Sequence, residues 1–363
     1  MPTIPRRPED FTNDWLNEVL EPHRGNTVVT KCDAKKLDTP GQTAEVIMLS
    51  VSYDKPSDLP SRMVAKVTSE DPEIITHLIA NYDQYRRETS FYREFPDIGI
   101  SVPRCLHQAH DPATQDFVLL MNDLAPAICP SWNITPNQIE LALAALPTFH
   151  ARWWNDDSLR QKDWMVQFDE TPFFAAAFEA GRRGAGVAQK NYDDAETSLA
   201  ALRYAEENRD SLLKWVASRP FTFVHGDYHA KQMFFPTDAG GDFAVIDWQF
   251  PRVAPGAWDF ARLQGMCMQT IDRRSLETRL MSSYVNGLKR EGINDYNQSE
   301  FEDDYRFGLL MSQTVMCVAH ADTDMNIFKK ECGALGVDWQ DAMLLRTQTA
   351  MEDWDVLDFL RQL

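Results

Sequence analysis

Apolar positions change their period partway along the chain. Near the start, Trp15, Leu16, Val19 and Leu20 fall on one stripe, which predicts an amphipathic helix over 12–20. Strand-like runs follow over 27–30, 45–52 and 62–68, separated by the turn-rich stretches 37–42 and 54–60. Asp71-Pro72 sets a helix N-cap before a proline at the first helical position, and predicts a helix running to Phe95 and stopping at Pro96. A further apolar strand, 117–121, leads into Asn122-Asp123-Leu124-Ala125-Pro126.

Beyond that connector the pattern becomes helical. Thr135-Pro136-Asn137-Gln138 forms a capping-box start, and the helix it opens carries Leu141, Ala145, Phe149 and Trp153 at helical spacing, with a kink expected at Pro147. More helices are expected over 193–218, 274–291 and 300–320 and at the C-terminus. The fold class is α+β, with a small sheet-bearing lobe over 1–121, a hinge at 122–126 and a larger, mainly helical lobe over 127–363. In the second lobe one β element stands out. Met233-Phe-Phe235 and Phe243-Ala-Val-Ile246 flank the turn Pro236-Thr-Asp-Ala-Gly-Gly-Asp242, as a hairpin requires.

That hairpin carries the chemistry. The short run 221–224 ends in His225-Gly226-Asp227, ahead of the first hairpin strand, and Asp247 follows the second. A hairpin brings both carboxylates to one end, where they repel unless a cation lies between them, which points to Mg²⁺ and phosphate chemistry. In the first lobe, Lys66 lies within the apolar strand Met63-Val-Ala-Lys-Val67, and Glu88 shares a helix face with Tyr85, Phe91 and Tyr92. Each would be costly to bury alone, and an ion pair between them resolves both problems.

In the order of these motifs the chain resembles the aminoglycoside-phosphotransferase-like small-molecule kinases, including the choline-kinase-like and ecdysteroid-kinase-like branch. Their pattern is His-x-Asp, an Asn five residues after the Asp, and later Ile-Asp-Trp, which here is Ile246-Asp247-Trp248. The resemblance implies a bilobal, protein-kinase-like fold that uses ATP and Mg²⁺. It makes Asp227 the base for an acceptor hydroxyl and Asp247 a ligand of Mg²⁺, with Lys66 on the phosphates and Glu88 as its partner. It gives His225 a structural role, and Asp259, in Pro255-Gly-Ala-Trp-Asp-Phe-Ala261, the task of bracing the catalytic loop. Backbone around Met121 to Asp123 would hold adenine, and Gln42 and Thr43 would cover the phosphates. The departure is Gln232, where the family has the Asn that ligates a second metal. Its amide oxygen sits on a stem one methylene longer, and Mg²⁺ tolerates little distortion. The expected function is Mg²⁺-dependent transfer of a phosphoryl group from ATP to a hydroxyl of a small molecule. The alternative is a catalytically weak protein that binds nucleotide or a small ligand in a regulatory role.

Charge and composition narrow the partners. A net charge of -19 argues against nucleic acid and suits a small, even cationic, acceptor. Six scattered cysteines without a CxxC pair fit a reducing, cytoplasmic setting, and no apolar run is long enough to span a membrane. Neither Asp-Phe-Gly nor Ala-Pro-Glu follows the catalytic loop, which disfavours protein substrates. Gly181-Arg-Arg-Gly-Ala-Gly186 follows no apolar strand and reads as a connector, and His107 and His110 lack an acidic partner for a metal site.

Overall fold

Five strands of the computed structural model, which describes residues 3–37, 43–75, 82–130, 132–169, 171–192, 194–322 and 324–363, form one antiparallel sheet. They are β1 (Val29–Lys36), β2 (Ala44–Tyr53), β3 (Arg62–Thr68), β4 (Cys105–Asp111) and β5 (Asp116–Asn122), in the order β1-β2-β3-β5-β4. Side chains alternate across a strand, so Met63, Ala65 and Val67 of β3 join one core, with Leu16, Val19 and Leu20 at helix α1 (Asn13–Val19). The intervening position, Lys66, is therefore turned to the opposite face. There Tyr85 of helix α2 (Gln84–Glu94) packs with Phe117, Leu119 and Met121 of β5.

Several expectations shift for physical reasons. The first strand extends through the polar run to Lys36 because β1 is an edge strand, where charged side chains are usual. The helix expected to continue from 72 to 95 is interrupted, since Asp83 takes a left-handed conformation with φ 53° and α2 starts after it. The pair His107 and His110 lies in β4, a strand not anticipated.

The chain divides into two compact units. One comprises 1–128 with 236–250, and the other 129–235 with 251–363. Segment 236–250, expected in the second lobe, groups with the first because its bonds run there. Val245 N donates to Ser101 O at 2.9 Å, Thr237 Oγ1 donates to Pro126 O at 3.2 Å, and the Trp248 ring stacks on Phe91 with centroids 4.2 Å apart. Strands β8 (Met233–Phe234) and β9 (Ala244–Val245) thus fall in different units.

The second unit is mainly helical. Helix α3 (Pro136–Arg152) begins with the expected capping box. Its buried stripe is Ile139, Ala142, Leu143, Leu146 and Phe149, one step round from the stripe expected, so Leu141 stays exposed. The span 193–218 holds two helices, Glu196–Glu207 and Arg209–Ala217, parted at Asn208. The unit also contains a sheet that was not foreseen, formed by β6 (Val166–Gln167), β7 (Thr222–Val224) and β10 (Arg252–Ala254) in the order β6-β10-β7.

The 181–186 stretch corrects another expectation. It lies inside helix α4 (Thr171–Tyr192), and its glycines allow close approach to a second long helix, Gln298–Asp322. A Cβ on Gly184 would stand 1.6 Å from the Cys317 carbonyl oxygen, whereas one on Gly186 would meet nothing within 4 Å. Among the described residues no helix is long and apolar enough to cross a membrane.

These two glycines should respond to alanine with opposite signs. In urea unfolding, Gly184→Ala is expected to cost ~3 kcal/mol through overpacking. Gly186→Ala should gain ~0.5–1 kcal/mol by removing a glycine from a helix interior. Equal effects at both sites would contradict the packing described.

Candidate active site

In the first unit, three of the expected residues meet at one ammonium. Lys66 Nζ donates to Glu88 Oε1 at 3.0 Å, to Glu88 Oε2 at 2.7 Å and to Asp247 Oδ1 at 2.5 Å. Alternation along β3 aims Lys66 at α2, where Glu88 is 1% exposed. Asp247 reaches the same ammonium from a strained backbone, with φ 66° in a non-glycine residue, and the Trp248–Phe91 stack pins its loop to α2. Gln249 Nε2 reaches Asp247 Oδ2 at 3.3 Å, and Gln249 Oε1 accepts Thr43 Oγ1 at 3.1 Å, so Thr43 is tied to the Asp247 loop.

The electrostatics follow from burial and from two anions sharing one cation. Burial pushes the Glu88 carboxyl up to about 7, against the pull of Lys66, and Asp247 adds to the rise. Burial alone would lower Lys66, but Asp247 and Glu88 outweigh it and hold the ammonium protonated. With both carboxylates ionised, the cluster carries one excess negative charge. Among the described residues no three His, Cys, Asp or Glu side chains converge on a point. Mg²⁺ commonly takes one or two protein carboxylates and completes its shell with phosphates and water. An anion-rich cluster with the Asp247 side chain 18% exposed fits such an ion.

The remaining first-unit candidates are less concentrated. Met121 lines the sheet face that Lys66 shares. Asn122 and Asp123 donate their amides to the Arg104 and Arg62 carbonyls at 3.2 Å each, and the Asp123 carboxylate pairs with Arg62. Gln42 lies outside the described residues.

The second unit builds the loop after β7. Asp259, on the fully buried helix α5 (Ala257–Cys267), accepts the His225 amide at 2.7 Å and the Gly226 amide at 2.9 Å. Gly226 turns with φ 81°, and its carbonyl accepts Trp258 Nε1 at 2.9 Å. His225 Nδ1 accepts the amide of Asp227 at 3.2 Å. Asp259 and His225 are thus both engaged with this loop. Behind them, His150 Nε2 lies 3.5 Å from Asp259 Oδ2 and its Nδ1 lies 2.7 Å from Tyr284 Oη. Gln232 ends a short 3₁₀ turn, Ala230–Gln232, directly after the loop.

Asp227 itself is held between a guanidinium and an imidazole. Arg262 on α5 gives Nε at 3.1 Å and Nη2 at 2.9 Å to Oδ1, and His229 Nε2 lies 3.2 Å from Oδ2. Burial alone would raise this carboxyl, yet His229 and Arg262 hold it well below the usual carboxylate range. Arg262 had no place among the expected residues. The signal available in the sequence was a lone arginine in an otherwise uncharged stretch after Asp259, since a buried guanidinium needs an anion.

Comparison with known proteins agrees with the fold. The model of the phosphotransferase enzyme family matches residues 62–291, and the chain belongs to that family. A Ralstonia eutropha protein provisionally described as an aminoglycoside phosphotransferase is 12% identical, with a TM-score of 0.52 over 96% of this chain and 97% of its own. Ethanolamine kinase from Plasmodium vivax is 10% identical, with a TM-score of 0.52 over 84% of this chain and 80% of its own. A search of curated protein sequences finds no significant match.

Removing the brace should loosen the loop. Asp259→Ala strands two buried amides, each worth ~1–3 kcal/mol. A loss of ~2–5 kcal/mol in chemical unfolding is therefore expected, and a loss below about 1 kcal/mol would contradict the bracing role.

Proposed function

We propose that this protein transfers a phosphoryl group from ATP to a hydroxyl of a small molecule in a Mg²⁺-dependent reaction. The observation that carries the reading is the Lys66–Glu88–Asp247 cluster, a part-buried lysine held between two carboxylates. Lys66 would bind the phosphates, with Glu88 fixing its direction. Backbone near Met121 and Asp123 would hold the purine, and Thr43 with Gln42 would lie along the phosphates. Asp247 and Gln232 would hold Mg²⁺, which when bound neutralises charge on the phosphate oxygens. Asp227 would receive the acceptor hydroxyl and take its proton on a carboxylate oxygen, while Asp259 and His225 keep the loop in shape.

A carboxylate held below its usual range is a weak base and a good hydrogen-bond acceptor. That suits phosphoryl transfer, whose loose transition state asks for positioning and charge stabilisation more than for proton affinity. The acceptor classes to try are amino sugars, amino alcohols, sugars, macrolides and sterols.

ADP release with each class, with and without Mg²⁺, tests the reading. Turnover with at least one class is expected, and Asp227→Ala should reduce it by ~10²–10⁴-fold. Binding of Mg-ATP without ADP from any acceptor would favour the reading in which nucleotide is bound but not turned over. Gln232→Asn tests the metal assignment separately. It is expected to lower the Mg²⁺ concentration for half-maximal rate, and an unchanged requirement would remove Gln232 from the metal site.

A further inference from the structure

The manner in which Arg262 meets Asp227 is unusual for a structural ion pair. An arginine fork normally lays two parallel bonds across both oxygens of a carboxylate. Here Nε and Nη2 converge on a single oxygen, Oδ1, at 3.1 and 2.9 Å. The third nitrogen, Nη1, reaches Ser312 at 3.3 Å from its carbonyl and 3.4 Å from its hydroxyl. Ser312 belongs to helix Gln298–Asp322, so the guanidinium is fixed from two helices, and the Arg262 side chain is only 3% exposed. A carboxylate offers about four acceptor positions. Arg262 fills both on Oδ1 and His229 takes one on Oδ2.

We propose that Arg262 is a positioning residue for phosphoryl transfer, which saturates Oδ1 of Asp227 and thereby directs the acceptor hydroxyl to the one position left on Oδ2. The proposal rests on the reading of Asp227 as the residue that receives the acceptor. A buried ion pair contributes little net stability over an apolar pair of the same shape. The one-sided geometry, by contrast, has a direct use, because it gives the acceptor a single direction of approach. It also keeps Asp227 ionised. The titratable and charged groups around Asp227 are His225 and His229 from the loop and Arg262 and Cys267 from α5. Arg262 is the one among them with a charge independent of pH.

Four variants test this: Arg262→Gln, Arg262→Lys, Asp227→Asn and the double variant Asp227→Asn/Arg262→Gln. In Arg262→Gln, kcat is expected to fall on the order of 10²-fold with KM for Mg-ATP unchanged. The ratio of wild-type to Arg262→Gln rate should also grow as the pH falls, because Asp227 without its guanidinium is protonated earlier. Arg262→Lys should keep the wild-type acid side with a depressed kcat, since an ammonium carries the charge without the fork. A wild-type pH profile in Arg262→Gln, or a loss confined to nucleotide KM, would overturn the proposal.

A stability cycle judges the pair without reference to catalysis. Asp227→Asn should restore much of the urea midpoint lost in Arg262→Gln, because it removes the anion left without its guanidinium. Additive losses, or a double variant as poorly folded as Arg262→Gln, would show that the pairing is not what holds Asp227. Should the wild type release no ADP with any acceptor, the phosphotransfer reading falls, while the cycle still decides the pairing.

Discussion

Two carboxylates share one ammonium at Lys66, and the arrangement of the first unit follows from that balance. Charges of this kind cannot be buried singly. Alternation along β3 places Lys66 on the sheet face opposite the Met63–Ala65–Val67 core, where α2 supplies Glu88 and covers it with aromatics. The Asp247 loop is then drawn in by the lysine and by the Trp248–Phe91 stack, tightly enough to hold a non-glycine residue at positive φ. The distant segment 236–250 belongs to this unit for the same reasons.

The second unit solves a related problem with different groups. Its loop anion, Asp227, is balanced by a guanidinium and an imidazole, and its loop amides are met by Asp259. Charge thus stabilises the loop's shape and the ionised state of Asp227 together. In the proposed reaction, Asp227 would therefore orient a hydroxyl rather than compete strongly for its proton. This matches what a loose phosphoryl transition state requires.

Much of the candidate site was legible because its residues sit on short, strongly patterned elements. Lys66 interrupts an apolar strand, Glu88 sits among aromatics, and Asp227 and Asp259 belong to compact motifs. What escaped has a physical explanation in each case. The polar stretch 31–36 is a strand because its neighbour β2 supplies hydrogen bonds on one side while Cys32 and Ala34 pack against the core. The glycines at 181 and 184 look like loop residues locally, yet they are required where two helices touch. The break at Asp83 depends on the backbone and not on an apolar period. Arg262 lies 35 residues from Asp227, and no local spacing connects them, so only the cost of a buried guanidinium could have announced the pair.

The central claim is that the excess charge on the Lys66–Glu88–Asp247 cluster serves a metal-bound nucleotide. Calorimetric titration with ADP, with and without Mg²⁺, against the wild type and Asp247→Asn tests it most directly. The account predicts that Mg²⁺ tightens ADP binding to the wild type by tenfold or more, on the order of 1.4 kcal/mol, and that Asp247→Asn loses this gain while still binding ADP. Nucleotide binding indifferent to both Mg²⁺ and Asp247 would contradict it.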